Sequence, residues 1–336
     1  MNLNSGPSGV FGRILGESKG KEATMANEQG SSAASKQSNI WMRISKAVKK
    51  NAFILVVLIP VLIHFLIFEI FPLGFSLFVS FFDWPLGGNL RFVGLQNWSN
   101  LFHDSLIGKS LLVTLNFALY YILPTIVLGL ALALLINNKF KGMNLFKSIY
   151  FFPSITSIVI LAGIWKWLFT GEPGGIVNTL LMNAFGVPCQ QFLSGELPAL
   201  LVTVLLSIYK VSGYIMIYFY AGLKGIPATL YESAKIDGSN WRQTFFHITL
   251  PQLRPIFLYV VIISTIDILQ IFESPYILTK GGPNYATNTI VYQIYKTAFI
   301  DMNLGYACSI AYVLFSIILL ITLLQYKVLD KDVSYD

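Results

Sequence analysis

The sequence predicts an all-α polytopic membrane protein with six transmembrane helices. Of its 336 residues, 55% are hydrophobic and 12% are charged, whereas a soluble domain typically carries about 25% charged residues. The mean hydropathy of +0.65 agrees with this composition. The apolar residues also cluster into runs close to the length of about 20 residues that a helix needs to cross a bilayer.

These apolar runs predict the individual spans. Pro60 and Pro72 interrupt the first span, and Lys166 lies near the end of the third. Lys210 lies at the middle of the fourth span, and the fifth contains Asp267. The predicted ranges are about 52–82, 111–136, 149–169, 197–221, 255–277 and 306–326.

The distribution of lysine and arginine predicts the topology. These residues concentrate before the first span, in the loops after the second and fourth spans and in the C-terminal segment. Because cytoplasmic loops carry such an excess, both termini and the loop 222–254 are expected in the cytoplasm. The net charge of +7 is thereby interpreted as an orientation signal. No basic stripe predicts a nucleic-acid partner.

The polar N-terminal segment predicts a disordered cytoplasmic tail over 1–45, followed by a six-span domain over 46–330. The first 40 residues lack the apolar segment and cleavage site of a secretory signal. The two cysteines and three histidines are scattered, so neither a metal site nor a disulfide framework is predicted. No nucleotide-binding motif occurs, and no cofactor is expected on this chain.

The stretch "YESAKIDGSNWRQTFFHITLPQLRP", residues 231–255, is a polar interruption between two apolar runs. Thr229 and Glu232 have the spacing of a helix-capping box, and Ser239 is placed to cap a second helix. The local pattern predicts a short helix, a kink at Gly238 and a second short helix at the membrane surface. An amphipathic helix that only rests on lipid headgroups is an alternative interpretation.

A more specific motif lies within this stretch. Glu232-Ser233-Ala234 is followed after three residues by Gly238, and after nine more by Ile248-x-Leu250-Pro251. This spacing resembles the signature loop E-A-A-x3-G-x9-I-x-L-P of permease subunits of binding-protein-dependent ABC importers, with Ser233 in place of alanine. The resemblance extends over about 50–327. "FFPSITSIVILAGIWKWLF" and "LTKGGP" are similar to the maltose-type carbohydrate permeases.

The resemblance implies the type I ABC importer permease fold and ATP-driven import of a sugar or oligosaccharide by alternating access. The loop would then be a coupling helix that docks on an ATPase subunit through Glu232, Ser233, Ala234, Asp237 and Gly238. The implied partners are a second homologous permease in a heterodimer, two ATP-binding subunits that use ATP and magnesium, and an extracytoplasmic solute-binding protein. The implied location is a bacterial or archaeal cytoplasmic membrane, and the chain itself would be no enzyme.

Two stripes of residues are candidates for substrate contact. They share helix faces on the fourth and fifth spans, where the resemblance implies contact with sugar. The first stripe holds Ser207, Lys210, Val211 and Tyr214, and the second holds Ser264, Asp267, Ile268 and Ile271.

The charged residues in the spans leave alternatives open. Intramembrane charges usually face protein or a water-filled path, so Lys210 and Asp267 could form an ion pair, line the cavity, or do both. Lys166 could instead extend toward the interface. Two lysines in spans suggest an acidic substrate, such as a uronate-containing oligosaccharide, but Asp267 could offset the charge of Lys210.

Other functions are also considered. A self-sufficient secondary transporter would need an ion-coupling site and usually an internal repeat, and no clear repeat is visible. A membrane enzyme lacks a catalytic cluster, and a channel lacks a filter-like segment. The external loop 274–305, with "KGGPNYATN", is a candidate contact for the solute-binding protein or a plain Gly/Pro turn.

Overall fold

The computed structural model describes residues 52–85, 87–138, 142–172 and 175–329. The predicted tail, 1–45, lies outside these residues. The chain divides into two units at Gly74. The first unit contains α1, Ala52–Phe65, and the π-helical turn Leu66–Ile70, and the boundary between the units falls within α2, Phe71–Val79. The apolar side chains from Val56 onward in this unit are exposed, as expected for a helix that contacts lipid or a partner.

The second unit contains the remaining elements. Its only described strands are β1, Phe82–Asp83, and β2, Arg91–Phe92, an antiparallel pair in which Phe82 is opposite Phe92. The helices up to the polar loop are α3, Gln96–His103; α4, Ser105–Asn137; α5, Met143–Ile155; α6, Ile158–Leu168; α7, Ile176–Phe185; and α8, Glu196–Gly225. The later ones are α9, Ala228–Ile236; α10, Trp241–Thr244; α11, Leu250–Gln252; α12, Arg254–Leu269; α13, Glu273–Leu278; α14, Ile290–Tyr295; and α15, Leu304–Leu329.

Five segments of the described chain are long and apolar enough to cross a membrane, and α5 with α6 would make a sixth. The five are Val56–Val79, Ser105–Asn137, Glu196–Gly225, Arg254–Leu278 and Leu304–Leu329. The sequence predicted one continuous span over 149–169, but the structure bends by 100° between α5 and α6. Thr156 at the bend has extended backbone, and its hydroxyl donates to the carbonyl of Phe152. This side-chain hydrogen bond to the backbone competes with the hydrogen bonds that would continue the helix.

The core of the second unit forms where α4, α8 and α12 meet. Ala133 of α4, Phe219 of α8 and Val260 of α12 are fully buried in one apolar cluster. Small residues let the backbones approach: a Cβ at Gly213 of α8 would lie 2.6 Å from the carbonyl oxygen of Tyr150 in α5. Close packing of this kind holds helices together in lipid, where no hydrophobic effect acts between them.

The segment after α13 is anchored by buried polar side chains. The Asn288 amide donates to the Ser110 hydroxyl at 2.7 Å, and the Ile290 N–H donates to the Thr114 hydroxyl at 2.9 Å, so both bonds tie the segment to α4. Asn284 and Tyr285 are exposed nearby. The segment is therefore more than a plain turn, and its contact with a solute-binding protein stays a prediction.

Candidate substrate cavity and coupling loop

A cavity of about 400 Å³ opens between α4, α6, α8 and the α12–α13 segment. Polar, charged and apolar side chains all contribute to its wall. They are Tyr121, Ile158, Ser207, Lys210, Val211, Asp267, Ile268, Gln270, Ile271, Phe272, Glu273 and Ser274.

The cavity lies where two helices are interrupted. One interruption is the bend between α5 and α6, where the Lys210 ammonium donates to the carbonyl oxygen of Thr156 at 3.1 Å. The other is 270–272, between α12 and α13, where the Thr289 hydroxyl donates to the carbonyl oxygen of Ile271 at 2.9 Å. Irregular backbone at membrane depth is tolerated only where protein or a water-filled cavity satisfies it. Discontinuous helices of this kind mark binding sites in transporters.

The structure brings six of the eight predicted contact residues to this cavity: Ser207, Lys210, Val211, Asp267, Ile268 and Ile271. Tyr214 and Ser264 are not in its wall. Tyr214 lies one turn farther along α8, where its ring packs edge-on against Phe151 at 5.5 Å. Ser264 is fully buried one turn before Asp267 and does not line the cavity.

Sequence periodicity missed the other half of the wall. Gln270, Phe272, Glu273 and Ser274 reach the cavity because the helix is interrupted, and a continuous helix would have spread them over its surface. The Ser274 hydroxyl lies 3.0 Å from that of Ser207. The run of polar residues around Pro275 is the available sequence signal for this interruption.

Three formal charges line the cavity: Lys210, Asp267 and Glu273. In the part of the chain that the structure describes, no ion pair joins Lys210 to Asp267, since Lys210 donates to Thr156 instead. Lys166 is not in this wall and lines a separate surface hollow beside Glu172. Of the two lysines in the predicted spans, therefore, only Lys210 can act on a molecule in the cavity.

The polar loop folds into two short helices joined by a tight turn, as predicted. Gly238 has a positive φ of 74°. The Gly238 N–H donates to the carbonyl of Lys235, and the Ser239 N–H donates to the carbonyl of Ala234. These two hydrogen bonds define a Schellman motif. Glycine adopts the positive φ of this motif without the steric penalty that a Cβ would cause. Gly238 therefore fixes the direction in which the chain leaves α9.

Both predicted capping residues of this loop were wrong. The first helix begins at Ala228 after Pro227, so Thr229 lies inside it and forms no cap. The second is capped by Asn240, whose side chain accepts from the Gln243 N–H at 2.9 Å, while Gln243 accepts from the Asn240 N–H. This reciprocal pair is a capping box one residue beyond the predicted Ser239.

The proposed coupling residues differ in exposure. Glu232, Ser233, Asp237 and Gly238 are exposed, whereas Ala234 is buried in the loop. Three apolar side chains of the same loop are exposed and are together called the apolar patch: Ile236 is 86% exposed, Trp241 71% and Phe246 58%. An apolar patch flanked by charged residues marks a surface for protein or membrane contact.

Comparisons with known proteins agree with this geometry. The family described as "Binding-protein-dependent transport system inner membrane component" matches residues 125–335. The chain belongs to this family, so it is a membrane-embedded permease subunit of an ABC transporter. The resemblance predicted from the 231–251 motif is confirmed.

Individual relatives extend the match over most of the chain. The probable ABC transporter permease protein YesP of Bacillus subtilis is 34% identical over 306 residues, covering 88% of this chain and 96% of the relative. The arabinooligosaccharides transport system permease protein AraP of the same species is 33% identical, covering 80% and 85%. A solved bacterial ABC transporter involved in import of the acidic polysaccharide alginate matches with a TM-score of 0.76 at 25% identity, covering 86% of this chain and 99% of that chain. The predicted type I permease fold is confirmed.

Proposed function

We propose that this chain provides part of the sugar-binding site and of the pathway in an ATP-driven importer of a sugar or oligosaccharide. The observation that carries the proposal is the mixed polar and aromatic cavity at the two helix interruptions. Small-molecule sites combine apolar and aromatic walls with a few polar groups that fix orientation. The similarity to AraP, which belongs to an arabinooligosaccharide transport system, and to the alginate importer supports a carbohydrate.

The proposed site residues are the six that line the cavity and were predicted from the two stripes. Ser207, Lys210 and Asp267 would hydrogen-bond sugar hydroxyls, and Val211, Ile268 and Ile271 would contact the apolar ring faces. Tyr214 and Ser264 are not proposed as direct contacts, because neither borders the cavity.

The loop is proposed as the site of coupling to an ATPase subunit. Its exposed Glu232 and Asp237 would face basic groups of that subunit, and the apolar patch of Ile236, Trp241 and Phe246 would occupy a groove on it. Two short helices held by a Schellman turn and a capping box form a stiff unit, and a stiff unit can transmit a domain movement to the spans. This assignment puts the loop and both termini in the cytoplasm.

The complete importer is proposed to contain a second homologous permease, two ATP-binding subunits and an extracytoplasmic solute-binding protein. The permease partner would complete the cavity. ATP and magnesium would be held by the ATPase subunits. Closure of those subunits would turn the cavity outward to receive sugar, and hydrolysis would return it inward. This chain would move the solute without covalent chemistry.

The charges in the cavity favour a neutral sugar on this side of the pathway. Lys210 is opposed by the two carboxyl groups of Asp267 and Glu273. An acidic, uronate-containing substrate is the second candidate, supported by Lys210 and by the likeness to the alginate importer. It would require cationic groups from the permease partner.

The decisive test uses the full complex in proteoliposomes. Uptake of labelled arabinan or alginate fragments should require ATP, the solute-binding protein and intact ATPase subunits, and should continue after ionophores collapse all ion gradients. Uptake that stops with the gradients, and that proceeds without the ATPase, would establish a secondary transporter instead.

A further inference from the structure

An aromatic cluster lies beside the cavity, at the end of the α12–α13 span remote from the polar loop. Phe272 contacts Tyr295 at a centroid distance of 5.1 Å, Tyr276 contacts Tyr295 at 5.3 Å, and Tyr295 contacts Phe299 at 5.6 Å. Phe272 also lines the cavity. These four rings, called the aromatic platform below, therefore run without a gap from the cavity wall to the surface at Phe299.

The platform is supported from within but open on its other side. Tyr292 contacts three of its rings and is only 6% exposed, and the backbone at Gly281 packs closely on it, since a Cβ there would lie 2.5 Å from the ring. In contrast, Tyr276 is 39% exposed and Phe299 56%. A cluster that served only to fill a core would bury these rings as it buries Tyr292.

Polar groups accompany the open ring faces. Gln270, Glu273 and Ser274 of the same segment line the adjoining cavity, and Tyr276 and Tyr295 carry hydroxyl groups beside each other. Flat apolar faces beside hydrogen-bonding groups match a sugar ring, which has C–H-rich faces and a rim of hydroxyls. Tyrosine offers both properties in one side chain. A lipid acyl chain would form no hydrogen bonds with the polar groups beside these rings.

We propose that the aromatic platform is an outer saccharide subsite, which holds the unit that follows the one bound in the cavity. The importer then handles oligosaccharides better than monosaccharides. This inference rests on the proposed function and adds a length preference to it. The ring of Tyr276 makes the principal contact, and Tyr292 supports it without touching the sugar.

The test compares uptake of saccharides of increasing length by the reconstituted complex at saturating solute-binding protein. The variants are Tyr276→Leu and Phe299→Leu, with Tyr276→Phe retaining the ring. Phe315→Leu is the matched control, because Phe315 is 45% exposed on α15 and contacts Tyr312 instead of the platform. Loss of a stacking ring should lower oligosaccharide uptake about three- to tenfold, and monosaccharide uptake should match wild type. Phe315→Leu should behave as wild type, and Tyr276→Phe, which keeps the ring and loses the hydroxyl, should retain more oligosaccharide uptake than Tyr276→Leu.

Three other results would overturn the outer subsite, and the last of them would also refute the proposed function. An equal loss at every length would assign the platform to packing or to the permease partner and would overturn the subsite. Wild-type uptake at every length in both leucine variants would make the rings an interfacial aromatic belt and would also overturn it. A wild-type complex that imports no saccharide at all would refute the proposed function, and the subsite with it.

Discussion

The cavity and the polar loop distribute polar and apolar groups in opposite ways. In the cavity, hydrophobic helices place Ser207, Lys210 and Asp267 in the wall of an open cleft. In the loop, a mostly polar segment turns Ile236 and Trp241 outward. Each arrangement is costly by itself, because a charge in a membrane needs a polar neighbour and an exposed apolar patch needs a cover. The proposed function assigns the two regions different partners: a polar solute for the cavity and a protein surface for the loop.

The two regions also depend on different forces. The cavity needs helices that are distant in sequence to pack closely, whereas the loop needs particular backbone conformations at a few neighbouring residues. Substitutions that damage packing should therefore harm the cavity, and those that damage local backbone geometry should harm coupling. The following predictions test this distinction.

The largest effect is expected at Gly213. A valine there would place Cβ 2.6 Å from the Tyr150 carbonyl and 2.9 Å from the Phe151 Cα. Overpacking of this kind costs about 1–3 kcal/mol, and it would push α5 from α8 and break the Lys210–Thr156 bond. The expected result is a lowered Tm of the purified complex and lost uptake. Gly163→Val is the control, because open space surrounds Gly163. Equal stability of the two variants would contradict the packing argument.

The next effect is expected at Gly238. Gly238→Val puts a β-branched residue at a φ of 74°, which costs roughly 1–2 kcal/mol in the left-handed region. The Schellman turn should open, and ATP-driven uptake should fall at least about tenfold while membrane insertion persists. ATP hydrolysis measured in the same proteoliposomes should continue without transport. Gly108→Val, a helical glycine in open space, should stay coupled.

An intermediate effect is expected at Lys210. Lys210→Met removes a hydrogen bond from a charged donor to Thr156 at the α5–α6 bend, and because Lys210 is only half-buried the loss is about 1.5 kcal/mol. Uptake should decrease, whereas Lys166→Met should leave it unchanged because Lys166 lies outside the cavity. Competition between neutral and acidic oligosaccharides distinguishes the substrate candidates. A selective loss of acidic ones would assign Lys210 to the substrate's carboxylate.

Asp267 offers a related test. Asp267→Ala should change the affinity or preference for sugars, since its carboxyl group lines the cavity and no ion pair to Lys210 restrains it within the described chain. Uptake kinetics would be measured across the same neutral and acidic oligosaccharides. Unchanged uptake kinetics for every sugar would show that Asp267 contributes to helix packing and does not contact the substrate.

The smallest effect is expected at the capping box. Asn240→Ala should destabilise the start of α10 by about 0.5–2 kcal/mol and should lower coupled uptake modestly. Ser239→Ala should have little effect, because Asn240 makes the capping bonds of this helix. If Ser239→Ala were the more harmful change, Ser239 and not Asn240 would be the functional cap.

Local sequence determined the loop almost completely. The glycine at 238 and the short helices on either side are set by residues within a few positions of one another, so the motif predicted them. The predicted cap at Thr229 is two residues from the actual N-cap, Pro227, and the one at Ser239 is one residue from Asn240. Several residue types cap helices, and only the final backbone path selects among neighbouring positions.

Sequence by itself also determined that the chain is a membrane protein and where its long spans lie, because hydropathy over about 20 residues reports transfer into lipid directly. Only the tertiary structure decided where two helices are interrupted, since each interruption is stabilised by distant partners. The Lys210 ammonium donates a hydrogen bond to the Thr156 carbonyl, and the Thr289 hydroxyl donates one to the Ile271 carbonyl. It also decided that Gln270 and Ser274 join the cavity while Tyr214 and Ser264 do not. Helical periodicity can place residues on a face, but the packing of the neighbouring helices determines which part of that face stays open.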